Sequence, residues 1–259
     1  MINFSKSSHN RKWIIMLVLL VSVLMAIFIF FNRTHPKITT DGQVRTPLLN
    51  TNSPNITDNT IPAVDEVNTP IPQTLSLKVP FTPQAPTANW DELHNEACEE
   101  ASAIMANAYF NQISSLPPAT AEHEINKLTD WQQQNFGYNL SINTTETTRM
   151  IEAVYGLKTE LKPISEQIIK QALANGKLVL LPANGQMLEN PYFKSPGPVY
   201  HMLVITGFNE NKLITNDPGT KRGQNYQYDY NVLENATGNW DSATHEVNLS
   251  EKRIIIVSK

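Results

Sequence analysis

Residues 96–110 read EACEEASAIMANAYF, and their apolar and small side chains recur at the spacing of a helix. Glutamates in the first turn support a helix start here, because the helix dipole favours negative charge at an N-terminus. Cys98 is the only cysteine in the chain, so it cannot form an internal disulfide or a cysteine-rich zinc site. The thiol is therefore either packed in the core or reactive.

The chain around this helix changes from helical patterns to strand patterns. Helices are predicted over residues 121–135, 145–155, 165–174 and, as a short one, 228–236. Strands are predicted over residues 75–79, 178–183, 201–208, 212–215 and 253–257. Helices followed by an antiparallel sheet define the α+β class.

His201 and Asp217 are the candidates to act with the thiol, because a nucleophile needs a base and a group that orients the base. His201 begins an apolar strand, and Asp217 ends the next one. A tight turn near residue 210 places the two side by side, where a carboxylate selects the imidazole tautomer. Taken singly, His201 is also compatible with a strand-end histidine bound by a loop, and Asp217 with an Asp-Pro-Gly turn.

Gln84 lies in a proline-rich loop before the cysteine helix, and His94 is expected to be a loop residue of the same connection. The Gln84 amide and the Cys98 backbone N–H could together stabilise an oxyanion. We predict no metal, since His201 lacks an H-x-x-x-H partner, and no cofactor. With 20 Lys and Arg against 24 Asp and Glu, the chain shows no basic patch that predicts nucleic acid binding.

Four motifs in this order resemble those of the bacterial bacteriocin-processing-peptidase-like (double-glycine-peptidase-like) domains of the papain-like cysteine peptidase fold. They are VPFTPQ at 79–84, EACEEAS at 96–102, YHMLVI at 200–205 and NDPG at 216–219. The resemblance covers about residues 75–259 and implies a helical part with the cysteine, packed on an antiparallel sheet with the histidine and aspartate. It implies that Cys98 is the nucleophile, His201 the general base and acid, Asp217 the orienting group and Gln84 the oxyanion donor. Many relatives carry Gly-Pro after the cysteine, where this chain has Glu99 and Glu100.

Residues 13–31 (WIIMLVLLVSVLMAIFIFF) contain no charge, proline or glycine and predict one transmembrane helix. Nineteen helical residues span the hydrocarbon core of about 30 Å, whereas the apolar part of a cleaved signal is about 7–15 residues long. Three basic side chains precede the segment and two follow it closely, which favours a cytoplasmic tail over residues 1–12. Residues 32–74, rich in Thr, Asn and Pro, predict a flexible linker to a cysteine peptidase-like domain over residues 75–259.

The N-terminal patterns predict a single-pass protein of the cell membrane, and the resemblance implies that its extracytoplasmic domain is a papain-like thiol hydrolase. It would cleave peptide or amide bonds of a peptide or protein substrate through Cys98, His201 and Asp217. One alternative is a non-catalytic peptide- or cell-wall-binding module on the same fold. Another is a transglutaminase-like acyl transferase, since those enzymes use Cys, His and Asp in the same chain order.

Protease added to intact cells tests the predicted orientation. We expect it to digest residues 75–259 while a tag on residues 1–12 stays protected, because the positive-inside rule keeps the N-terminus in the cytoplasm. Immunoblots of both ends, with and without lysis, measure this. Digestion of the C-terminal domain only after lysis would reverse the topology.

Overall fold

The computed structural model describes residues 69–259. The predicted tail over residues 1–12, the predicted transmembrane helix over residues 13–31 and the linker up to residue 68 lie outside the described residues. Within residues 69–259, every helix is too short or too polar to cross a membrane.

The helices surround the cysteine-bearing segment and recur later in the chain. They are α1 (Glu92–Asn95), α2 (Cys98–Phe110), α3 (Pro118–Phe136), α4 (Thr144–Tyr155), α5 (Glu166–Ala174) and α6 (Tyr230–Ala236), with a 3-10 turn at Gly185–Leu188. Helix α4 begins with a capping box, in which Asn143 and Glu146 bond each other's backbone N–H groups. It ends at Gly156, whose φ of 65° is the left-handed conformation that glycine adopts without strain.

A single antiparallel sheet forms the centre of the domain. Its strands are β1 (Leu75–Ser76), β2 (Lys158–Pro163), β3 (Leu178–Asn184), β4 (Tyr200–Phe208), β5 (Lys212–Asn216), β6 (Tyr226–Asp229) and β9 (Arg253–Ser258). Their order is β2-β9-β3-β4-β5-β6, and β1 adds to β4. A separate ribbon pairs β7 (Asn239–Asp241) with β8 (Glu246–Asn248).

Strand β4 is buried along its whole length because hydrophobic clusters cover both of its faces. Met202 and Val204 belong to the cluster shared with α2, α3 and α4. Leu203 and Ile205 belong to the cluster shared with α5 and α6. This alternation follows from the two-residue period of a strand. Helices packed on an antiparallel sheet confirm the predicted α+β class.

Four strands have no counterpart in the sequence prediction: β2, β6, β7 and β8. In β2 the side chains of Lys158 and Glu160 alternate with less exposed ones, and this polar edge strand lacks an apolar run. Residues 226–229 pair with β5, so the predicted helix over 228–236 begins only at Tyr230. The predicted strand over 75–79 is shortened to Leu75–Ser76. Helix and strand propensities cannot resolve such short segments, because pairing partners decide them.

Candidate active site

Cys98 is the first residue of α2, close to the position that the sequence predicts. The side chain is only 2% exposed and belongs to the cluster between α2 and the sheet. Ser102, one turn later, donates from its hydroxyl to the Met202 carbonyl at 3.3 Å, which ties the helix to β4. Packing on the central strand therefore fixes the position of the cysteine.

His201 and Asp217 lie at the same end of the hairpin that β4 and β5 form. Val204 is opposite Asn216 in the antiparallel register, so Asp217, which follows β5, lies next to the N-terminal half of β4 that carries His201. His201 Nε2 and Asp217 Oδ1 are 2.8 Å apart, and both side chains are buried. The juxtaposition expected from the hairpin is present.

The Asp217 carboxylate accepts four hydrogen bonds. Oδ1 faces His201 Nε2 and accepts from the Gly219 N–H at 2.9 Å. Oδ2 accepts from the Tyr228 hydroxyl at 2.6 Å and from Asn190 Nδ2 at 3.0 Å. Burial by itself raises the pKa of Asp217, but His201, Tyr228 and Gly219 outweigh it, and the pKa lies below its ordinary value.

Asn190 and Tyr228 are the site residues that sequence reasoning missed. Asn190 Nδ2 also donates to the Tyr228 hydroxyl at 2.8 Å, so the two side chains bind each other as well as the carboxylate. Asn190 follows the 3-10 turn, and Tyr228 lies in β6. No local motif marks either residue, because the pairing of β6 with β5 brings Tyr228 to Asp217 and the loop after the 3-10 turn brings Asn190.

The His201 ring is enclosed by Phe193 and Gly219. The Phe193 ring meets it edge-on with centroids 5.2 Å apart. A Cβ on Gly219 would lie 2.9 Å from His201 Cε1 and 2.8 Å from Phe193 Cε1, closer than packed carbon atoms come. A side chain at residue 219 would therefore force the His201 ring, the Phe193 ring or both to move.

Gln84 links the loop that follows Asp217 to the turn before the cysteine helix α2. Its backbone N–H donates to the Pro218 carbonyl at 2.9 Å. Its side-chain Nε2 donates to the carbonyls of His94 and Asn95 at 2.8 and 2.9 Å, while Oε1 is buried without a partner. The amide hydrogens that an oxyanion would need are thus engaged, and the oxyanion role of Gln84 stays a prediction.

His94, expected to be a loop residue, is instead buried in the short helix α1. Its Nδ1 lies 2.7 Å from Asp91 Oδ1, and its Nε2 lies 3.0 Å from Glu122 Oε1 on α3. The imidazole therefore links α1 to α3. It also helps to fix the end of α1, where Gln84 bonds the carbonyls of His94 and Asn95. The difference arises because two carboxylates, the nearby Asp91 and the distant Glu122, compensate the cost of burying a polar ring.

The Cys98 thiol contacts the next residue rather than the imidazole. Sγ donates to Glu99 Oε2 at 2.9 Å, and among residues 69–259 no hydrogen bond joins Cys98 to His201. Burial, and then the neighbouring Glu99, raise the pKa of Cys98 well above its ordinary value. The structure thus brings His201 and Asp217 together and leaves the thiol on Glu99.

A metal site has no support in the described part of the chain, where no three His, Cys, Asp or Glu side chains converge in a ligand arrangement.

Comparison with known proteins assigns the family. The Peptidase_C39 like family model matches residues 76–247, and the chain belongs to this family. No curated protein matches the chain. Among solved structures, a Bacillus anthracis protein described as a C39-like peptidase matches with a TM-score of 0.47 and 14% identity, over 73% of this chain and 98% of that chain. Membership agrees with the papain-like peptidase domain that the sequence motifs predict over residues 75–259.

Replacement of Gly219 by alanine tests the packing around His201. The added Cβ would lie too close to the His201 and Phe193 rings, so the His201 ring is expected to shift relative to Asp217. Such overpacking lowers the unfolding free energy by about 1–3 kcal/mol. We expect lower stability in urea and shifted His201 imidazole signals by NMR. Gly137→Ala is the control: φ at Gly137 is 85° but no heavy atom lies within 4 Å, so it should lose stability and leave the His201 signals unchanged. Unshifted imidazole signals in Gly219→Ala would contradict the close packing of His201 against residue 219.

Asp217→Asn tests the pH dependence of stability. A carboxyl group with a lowered pKa stabilises the fold fully above its unfolded value of 3.8, and this contribution is lost as the pH falls through the folded value. Between about pH 4 and pH 2, we expect the unfolding free energy of the wild type to fall more steeply than that of the variant, by up to about 1.4 kcal/mol per pH unit. Urea unfolding at several pH values measures this. Asp130→Asn, an exposed position on α3, is the control and should keep the wild-type slope; equal slopes for Asp217→Asn and the wild type would refute the prediction.

Proposed function

We propose that this chain is a membrane-anchored, extracytoplasmic thiol hydrolase that cleaves peptide or amide bonds with Cys98, His201 and Asp217. The observation that carries the proposal is the buried contact of 2.8 Å between His201 and Asp217. The Asp217 carboxylate accepts hydrogen bonds from four groups, one of which is the buried His201 imidazole. An imidazole held in this way is preorganised to exchange a proton. Membership of the Peptidase_C39 like family supports hydrolysis of peptide or amide bonds as the reaction, and Cys98 at the start of α2 is the nucleophile.

The assignment of the ring nitrogens follows from the hydrogen bonds. His201 Nε2 is occupied by Asp217, so Nδ1 is the nitrogen left to take the thiol proton. Cys98 then attacks the substrate carbonyl carbon, and His201 returns the proton to the leaving amine. Water, deprotonated by the same imidazole, hydrolyses the thioester and restores the thiol.

Stabilisation of the tetrahedral oxyanion is the second requirement of this reaction. The start of α2 offers backbone N–H groups, because the first turn of a helix leaves them without intrahelical partners. Gln84 contributes a side-chain donor only if substrate replaces one of its two carbonyl contacts, to His94 or to Asn95. We assign it this role on the resemblance, with its bonds to the turn as the resting arrangement.

Membrane anchoring and the extracytoplasmic location rest on residues 1–74. The apolar segment 13–31, the basic residues before it and the linker over 32–74 support a domain tethered outside the cell membrane. The substrate is then a peptide or protein that reaches that side. Protease digestion of intact cells, described above, tests this part of the proposal.

A non-catalytic peptide- or cell-wall-binding module is the second candidate function. The specific observation in its favour is the Cys98 thiol bonded to Glu99 and not to His201. If the protein only binds, Cys98→Ser and His201→Ala will leave peptide or wall binding intact, and no product will form with any substrate.

Product analysis with an added amine separates hydrolysis from acyl transfer, since transfer yields a new amide.

Cys98→Ser and His201→Ala test the hydrolase. We expect turnover of a fluorogenic peptide library to fall by at least about 10²-fold in each variant, because the nucleophile or the proton carrier is lost. The matched control is His123→Ala, which removes an exposed histidine of α3 and should keep wild-type turnover. Turnover that survives in both site variants would refute the catalytic assignment, and binding without turnover in the wild type would favour the module.

A further inference from the structure

Glu99 is fixed beneath the thiol by hydrogen bonds to both carboxylate oxygens. Oε2 accepts from Cys98 Sγ at 2.9 Å. Oε1 accepts from the Ile142 backbone N–H at 2.7 Å, in the segment that leads into α4. The side chain is fully buried, so it has no solvent conformers to exchange with. Burial, and then the neighbouring Glu100, raise the pKa of Glu99 well above its ordinary value, so this carboxyl group is a buried partner of the thiol and not a surface contact.

Three glutamates lie near Cys98, and each has a different partner. Glu100 is bonded to Gln132, and Glu96 to the Ser141 hydroxyl. Only Glu99 reaches the sulfur. A comparison between Glu99 and Glu100 therefore separates the effect of the hydrogen bond from the effect of nearby negative charge.

Strand β4 contributes a further group to this environment. Tyr200, next to His201 in sequence, is 5% exposed, and its hydroxyl is buried without a hydrogen-bond partner. Burial, then Glu99 and Cys98, raise its pKa. The titratable groups that raise the pKa of the thiol are three carboxyl groups, those of Glu99, Glu100 and Glu96, whereas the Tyr200 phenol is itself kept neutral by burial and by acidic neighbours.

We propose that Glu99 is a positioning residue that holds Cys98 as a neutral thiol in the resting protein, bonded to Glu99 instead of His201. This inference rests on the proposed function, because it defines the resting state of the same nucleophile. In the resting state the proton stays on sulfur. When the thiol leaves Glu99 and meets His201, Nδ1 takes that proton and the S–H electron pair stays on sulfur as the thiolate.

The chemical consequence is a thiol of low reactivity until the site is engaged. The thiolate is the reactive form of cysteine, and at this position burial opposes it first, followed by any negative charge on the adjacent Glu99. Glu99→Gln keeps the size of the side chain and an oxygen for the Ile142 N–H. Its amide hydrogens then face the sulfur, where they stabilise the thiolate in place of opposing it.

Alkylation of Cys98 by iodoacetamide against pH tests the proposal on the full-length chain in detergent. Because Cys98 is the only cysteine, all label reports on it. We expect Glu99→Gln to lower the pH midpoint by at least about one unit, which is about tenfold faster labelling at neutral pH. Glu100→Gln, the matched control, should lower the midpoint by clearly less. A midpoint for Glu99→Gln equal to that of the wild type or of Glu100→Gln would overturn the proposal.

A measurement on the unmodified protein covers the case in which Glu99→Gln does not fold, as judged by circular dichroism. The infrared S–H stretch of the single cysteine should be present at neutral pH and disappear on alkylation. Absence of this band in the resting protein would overturn the proposal. These readouts follow the protonation of the thiol and not turnover, so loss of the hydrolase assignment would leave them interpretable.

Discussion

The buried carboxylate of Asp217 is the interaction on which the arrangement of the site depends. A charge in a protein interior is tolerated only when hydrogen bonds replace its hydration. Here the donors come from four separate parts of the chain: His201 of β4, the Gly219 backbone, Asn190 after the 3-10 turn and Tyr228 of β6. The need to satisfy one carboxylate therefore fixes the relative positions of two strands and two loops.

Cys98 is held in place by different interactions from those that hold Asp217. Cys98 is held by packing on β4 and by its bond to Glu99, in a region where the nearby titratable groups are acidic. His201 contacts the Asp217 carboxylate, whereas the Cys98 thiol contacts Glu99. Gln84 joins the two sides, since it bonds Pro218 with its backbone and the turn before α2 with its side chain.

Most of the fold was predictable where periodic patterns are long. The helix over residues 96–110 and the strand over 201–208 are present with ends shifted by at most two residues, because burial of one or both faces imposes a strong apolar pattern. The short strand β6 was not predictable, since four residues carry too little pattern to compete with a helical prediction. His94 shows the same limit, because its burial depends on a carboxylate from another helix.

The α+β class, the family motifs, the single cysteine at a helix start and the hairpin that joins His201 to Asp217 could all be predicted from the order of the residues. These are local properties, because periodicity and turn residues act over a few positions. The hydrogen bonds of Asn190 and Tyr228 to Asp217, and that of the thiol to Glu99, became visible only in the folded chain. The physical reason is that buried polar groups must find partners wherever the folded chain supplies them, and sequence distance places no limit on that choice.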